Sequence, residues 1–391
     1  MDVRHQLSRR KFFGGVAAAV GVLGLKPSTE LFAQAKTQQF GGSAAEYDSY
    51  AKLASNENNW GPPKSVMDAM TGAWKYANRY GYPDGNIVQA IAEHHGVKPE
   101  NILLSAGSGE ILDVVGTTFL LGGKKVVGVD PSYGSVYQHA TSIKSEAIKV
   151  PLNKDYSQNM GGLIEATNKN AASVGFVYLC NPNNPTGRVV SAKEVKELLN
   201  GIPKDMPVLI DEAYHHFVAD PGYATSVPYV LEGRPVIIAR TFSKIAALAA
   251  MRIGYAVAPA ELIQKMRPFA MNSVNVLAKW GAVASLKDTQ GQAEVKAKVI
   301  ALRDKTTREL EAYGYPTIPS QTNFFMVSLD GRTVQPVIEE FRAKGVLVGR
   351  PFPPMVQHLR VSVGLPEEMD RFLKGFKEIF PKKAPSTMAR G

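Results

Sequence analysis

Six short apolar runs punctuate the first two thirds of this chain, and each stops at a polar turn or at the start of a helical segment. Asn101–Leu104 leads into Ser105-Ala-Gly-Ser-Gly-Glu110, Val126–Val129 into Asp130-Pro-Ser-Tyr133, and Val174–Leu179 into Cys180-Asn-Pro-Asn-Asn-Pro-Thr-Gly187. Val208–Ile210 ends in Asp211-Glu-Ala-Tyr214, Val236–Ala239 feeds Thr241-Phe-Ser-Lys244, and Gly254–Ala258 precedes a helix opening at Glu261. Strand runs of this kind between helical stretches predict an α/β fold with an open, mostly parallel central sheet and helices on both faces. In such a sheet the crevice beyond the carboxyl ends of the strands is where ligands bind.

The 391 residues are 45% hydrophobic, enough to bury a large core in two domains. The single cysteine, Cys180, excludes an intramolecular disulfide and a cysteine-based metal cluster. Net charge is +10; five basic and two acidic residues lie in the first 35 positions, which leaves +7 beyond them. No basic run interleaved with aromatics marks a nucleic-acid surface, so the excess fits anionic small molecules or plain solubility. His94-His95 and His215-His216 are adjacent pairs without ligand spacing, and no metal site is expected.

Residues 1–35 read as an address. Ser8-Arg9-Arg10-Lys11-Phe12-Phe13, the uncharged stretch Phe12–Leu25 and the small-residue site Ala33-Gln34-Ala35 resemble a twin-arginine export signal cleaved after Ala35. The apolar stretch is short for a membrane span, which needs about 20 residues. A basic tail or an uncleaved anchor is the other reading. Beyond it the chain divides into a linker and N-terminal arm (36–78), a large domain (79–285), a small C-terminal α/β domain (286–381) and a tail (382–391).

The strand ends supply the chemistry. Small residues before the helix near Ser108 and Gly109 leave unpaired N–H groups that cradle an anion. Tyr133 stacks on a flat group there or merely covers the core. Two successive Asn-Pro steps predict an extended, rigid backbone that fixes the Asn184 amide. Asp211 is either a helix N-cap or a carboxylate that keeps a pyridine nitrogen protonated in a dry site. Lys244 is a surface lysine, or the amine that forms a Schiff base to an aldehyde whose anion Thr241, Ser243 and Arg252 hold. The second set of readings points to pyridoxal 5'-phosphate.

Asn184, Asp211 after 27 residues, Lys244 after 33 more, and Arg360 within His358-Leu-Arg-Val-Ser-Val-Gly364 stand in a spacing that resembles the fold-type I pyridoxal-phosphate aminotransferases, most closely the histidinol-phosphate aminotransferase subfamily. The resemblance runs from Leu53 to Phe380. It implies that Lys244 carries the cofactor and shuttles the substrate proton, that Asp211 is the pyridinium partner, and that Asn184 and Tyr214 donate to the cofactor's 3'-oxygen. It also implies a phosphate cup of Ser108, Gly109, Thr241, Ser243 and Arg252, with Tyr133 stacked on the ring. Gly109 stands where the family often has an acidic residue. Tyr82 matches a tyrosine that reaches the neighbouring subunit's phosphate, which implies a homodimer. Arg360 matches the arginine for the substrate carboxylate, Arg350 is the candidate for a distal anion, and Asn56, Glu57 and Asn58 match a loop near the substrate. The implied activity moves an amino group between a small-molecule L-amino acid, or a histidinol-phosphate-like amine, and a 2-oxo acid by a ping-pong route. A decarboxylase or lyase on the same scaffold, or an exported binding protein, are the alternatives.

Overall fold

The computed structural model describes residues 42–383 and falls into two units, Met1–Ser49 and Tyr50–Gly391. The proposed export signal and most of the expected tail lie outside the described residues. Within the first unit, Ala44–Ser49 is a helix, where the sequence reading expects only a linker.

In the second unit, strand β1 (Ala51–Leu53) precedes the seven strands of the large sheet. These are β2 (Ile102–Ser105), β3 (Lys125–Asp130), β4 (Ala147–Pro151), β5 (Val174–Cys180), β6 (Val208–Asp211), β7 (Val236–Thr241) and β8 (Gly254–Val257). Their order across the sheet is β2-β8-β7-β6-β5-β3-β4. Pairs from β7 through β4 are parallel, and β8 runs against both of its neighbours, β7 and β2. Parallel strands are buried on both faces, which is why the runs are continuously apolar rather than alternating with polar residues.

Strand periodicity sorts those apolar residues into two cores. Val177, Leu179, Val208, Ile210, Val236 and Ile238 pack with Ile87, Leu163, Val195 and Ala282 on one face. Phe176, Tyr178, Leu209, Ile237 and Ala239 pack with Ile111, Val115, Val136 and Ile263 on the other. Successive residues thus point to opposite faces, so Asp211 and Glu212 part company at the end of β6, as do Arg240 and Thr241 at the end of β7.

A third core lies toward the C-terminus. Strands β9 (Thr317–Ile318), β10 (Phe324–Ser328) and β12 (His358–Ser362) form an antiparallel sheet, while β11 (Val346–Val348) pairs in parallel with β1. Their apolar faces are covered by Val299 and Leu310, by Val337 and Phe341, and by Phe372 and Phe376 from three helices. Tyr214, Phe217 and Ile245 belong to this core, although they follow β6 and β7 in the chain. The carboxyl ends of the large sheet are therefore packed against the C-terminal sheet.

Candidate active site

An anion cradle forms where three strands end side by side. Ser105 pairs with Gly254 and Gly254 with Thr241 across β2, β8 and β7. Gly107 has φ +88°, and a Cβ on it would lie 2.3 Å from Arg252 Nη2, so the close approach of that guanidinium to the start of helix Ser108–Leu120 requires glycine. Arg252, itself left-handed at φ +52°, donates to Ala249 O at 2.9 Å and Ala106 O at 3.4 Å. Thr241 Oγ1 donates to Ser243 Oγ at 2.9 Å and accepts from Ser243 N at 3.1 Å. On the helix's first turn Gly109 faces open space. A helix N-terminus, two hydroxyls and a guanidinium converge there, and this set suits a phosphate monoester.

Beside the cradle lies a buried polar cluster. Asp211, 3% exposed, receives a hydrogen bond from Ala213 N at 3.1 Å. Burial raises its pKa to about 6, against the opposing pull of that bond and of Lys244. Lys244 Nζ donates to Asn56 O at 3.0 Å and Ser55 O at 3.2 Å and stands 5.6 Å from the Tyr214 ring centroid. Burial, then the Arg360 guanidinium, lowers its pKa to about 8, with Glu57 and Asp211 pulling the other way.

Tyr214 accepts from Asn56 Nδ2 at 3.0 Å and from Asn184 Nδ2 at 3.2 Å. Two donors occupy the phenolic lone pairs, which leaves the O–H free to donate into the site. Arg360 donates to Asn184 Oδ1 at 2.8 Å and to Ala54 O at 2.7 Å, and its buried Nε has no partner. Its guanidinium lies 4.6 Å from the Phe352 ring centroid, with that of Arg350 at 4.2 Å. Burial lowers the Arg360 pKa to about 10, and Arg350 adds to the same direction.

Most of the residues singled out in the sequence are brought together. Tyr133 lies within electrostatic reach of Asp211, Arg252 and Arg350. Asn58 Nδ2 donates to the carbonyl of Ile245, next to Lys244, at 2.9 Å. Asn184 and Arg360, assigned by the resemblance to cofactor and substrate separately, are bonded to each other. Both Asn–Pro bonds at 181–182 and 184–185 are cis, which the reading of a plain extended run does not contain. Tyr82 is 75% exposed and stands outside the cluster.

Sequence reasoning missed three contributors. Asn323 Nδ2 holds the carbonyls of Asn56 and Glu57 at 3.1 and 3.2 Å, Ser362 Oγ bonds the Asn56 side chain at 2.9 Å, and Gly107 admits Arg252. Only Gly107 carried a local signal, a glycine between strand and helix. The other two act across more than 260 residues of chain.

The chain matches the family described as aminotransferase class I and II over residues 48–376. It is 35% identical to a histidinol-phosphate aminotransferase of Moorella thermoacetica over 340 residues, which cover 84% of this chain and 85% of that protein. A histidinol-phosphate aminotransferase of Caldicellulosiruptor saccharolyticus is 32% identical over 338 residues, 84% and 91% of the two chains. The crystal structure of histidinol-phosphate aminotransferase from Sinorhizobium meliloti in complex with pyridoxal-5'-phosphate is similar at a TM-score of 0.77 and 25% identity, covering 92% of this chain and 98% of that one.

Proposed function

Since this chain belongs to the class I and II aminotransferases and is a pyridoxal-phosphate-dependent transaminase, we propose how its residues divide the work and which amines it accepts. Pyridoxal phosphate supplies a cationic ring that accepts the electron pair left when a proton departs from the substrate's α-carbon. The residues present fit it, because the helix N-terminus, hydroxyls and guanidinium of the Gly107 cradle suit a phosphate and Asp211 is a buried carboxylate that accepts a backbone hydrogen bond from Ala213. Ser108, Gly109, Thr241, Ser243 and Arg252 hold the phosphate. Asp211 keeps the ring nitrogen protonated, and Tyr133 covers the ring. Tyr214 donates its free O–H to the ring oxygen, held in place by Asn184 and Asn56.

Lys244 is the amine that carries the aldehyde and afterwards moves the proton at the α-carbon. Its lowered pKa leaves an appreciable neutral fraction near pH 7–8, as a nucleophile and base requires.

The observation that carries the substrate reading is the pair Arg360 and Arg350, two guanidiniums stacked on Phe352 and bonded to carbonyl and amide oxygens. Fork-shaped donors of this kind recognise carboxylate or phosphate. The amino donor is therefore an anionic amine, and the histidinol-phosphate aminotransferases among the relatives make histidinol phosphate the first candidate. Loaded protein should transfer nitrogen from it to 2-oxoglutarate, and Lys244→Ala should reduce that turnover by at least a thousandfold. Transfer that prefers uncharged amines, or survives in Lys244→Ala, would refute the assignment.

The enzyme works as a homodimer in this proposal, because Trp74, Tyr80, Tyr82 and Met271 leave large apolar surfaces 63% or more exposed. The arginine pair at Arg9-Arg10 supports export of the folded, loaded protein by the twin-arginine route. Mass spectrometry of the exported form should find a start at Lys36.

A further inference from the structure

Behind the cofactor face, on the opposite side of the same strand ends, lies a knot of buried polar groups that none of the roles above uses. Arg240, 3% exposed, donates to Glu212 Oε2 from Nε at 3.0 Å and from Nη2 at 2.6 Å, and to Thr225 Oγ1 at 2.8 Å. Its Nη1 contacts His215 Nε2. Glu212, fully buried, also accepts from Ser226 N at 2.7 Å and Thr225 Oγ1 at 3.0 Å. Next to the arginine in the adjoining strand, Tyr255 is bonded through its hydroxyl to His95 Nε2 at 2.8 Å.

Three members of the knot are immediate chain neighbours of residues in the candidate site. Glu212 follows Asp211, His215 follows Tyr214, and Arg240 itself precedes Thr241. Strand alternation turns Glu212 away from Asp211 and Arg240 away from Thr241, so Glu212 and Arg240 meet each other behind the cofactor face, while His215 reaches Arg240 from the turn His215–Phe217 beyond β6. A fully buried ion pair is a poor source of net stability, because desolvation offsets its Coulombic gain, and apolar residues of the same volume would serve packing as well. What an apolar pair lacks is direction. A planar fork bonded to three separate segments fixes their mutual register.

We propose that Arg240 is a positioning residue for transamination: with Glu212 it locks the ends of β6 and β7 and the turn at His215, and so sets the spacing of Asp211, Tyr214 and Thr241 around the cofactor. The inference rests on the roles assigned above to those three residues. The knot touches neither Arg350 nor Arg360, so it acts on the cofactor rather than on capture of the amino donor.

Two variants test it. Arg240→Lys keeps the charge and loses the fork, and the double variant Glu212→Gln/Arg240→Met leaves no lone buried charge. In each, the cofactor-free protein should bind pyridoxal 5'-phosphate at least tenfold more weakly by fluorescence titration. Reconstituted protein should lose tenfold or more in kcat, with KM for the amino donor within twofold. Unchanged cofactor affinity in a folded variant, whatever its melting temperature, overturns the inference. If neither variant folds, Thr225→Val removes one bond to Glu212 and one to Arg240 with little change of volume: cofactor binding at least threefold weaker supports the inference, and unchanged binding overturns it. Lys244→Ala, measured alongside, separates the two levels. Retained turnover in that variant sinks the site assignment itself, while its loss together with wild-type behaviour at Arg240 sinks only the positioning role.

Discussion

Asp211 and Lys244 each carry a charge into a site that disfavours it, and the two titrate in opposite senses. Folded Asp211 keeps its proton up to about pH 6 instead of the ordinary 3.8, so the native state gains stability as pH falls through that interval. At neutral pH its ionised form costs the cofactor-free protein about 3 kcal/mol. Lys244 releases its proton at about 8 instead of 10.5, so its charge is a cost below 8 that is relieved as pH rises. Asp211→Asn should therefore raise the melting temperature of the cofactor-free protein at pH 7.5 while lowering turnover at least a hundredfold, as calorimetry and a steady-state assay would show together. Uptake of pyridoxal phosphate by the cofactor-free protein needs the neutral amine. Its rate should climb about tenfold per pH unit below pH 8 and level off above it, in stopped-flow absorbance. Asp211, Lys244 and Asn184 were legible in the sequence because each follows an apolar run whose end is visible. Asn323 and Ser362 were not, because they meet Asn56 only through tertiary packing.

At the scale of elements, the phosphate cradle depends on the approach of one turn to another. The turn at Gly107 and the left-handed Arg252 come within a methyl group of each other. Gly107→Ala should displace the guanidinium and strain the positive φ, weakening cofactor binding about tenfold with the sheet intact, which titration and circular dichroism would resolve. Six of the seven strands of the large sheet were read from the sequence to within a residue or two, since runs buried on both faces have no competing pattern; the edge strand β4 was not, because only Val150 of its five residues is buried. The direction of β8 was not. An antiparallel strand among parallel ones uses the same apolar residues, and only its pairing with Thr241 and Ser105 distinguishes it.

For the whole molecule, the exposed aromatics on the loop 77–86 and the helix before it are the surface that a second copy would cover. Trp74→Glu should convert the proposed dimer to a monomer in sedimentation velocity and, through loss of Tyr82 from the neighbouring site, reduce turnover at least tenfold. Nothing local announced that the first strand of the large unit pairs with one near the end. Ala51–Leu53 lies against Val346–Val348, and the loop that follows carries Asn56 to Lys244. On a ribosome that union waits until almost the entire polypeptide has emerged, because the partner segment is translated some 295 residues later. A nascent chain arrested short of β11 would hold its lysine without the carbonyls that orient it. Competence to load vitamin B6 is thus a late checkpoint of synthesis.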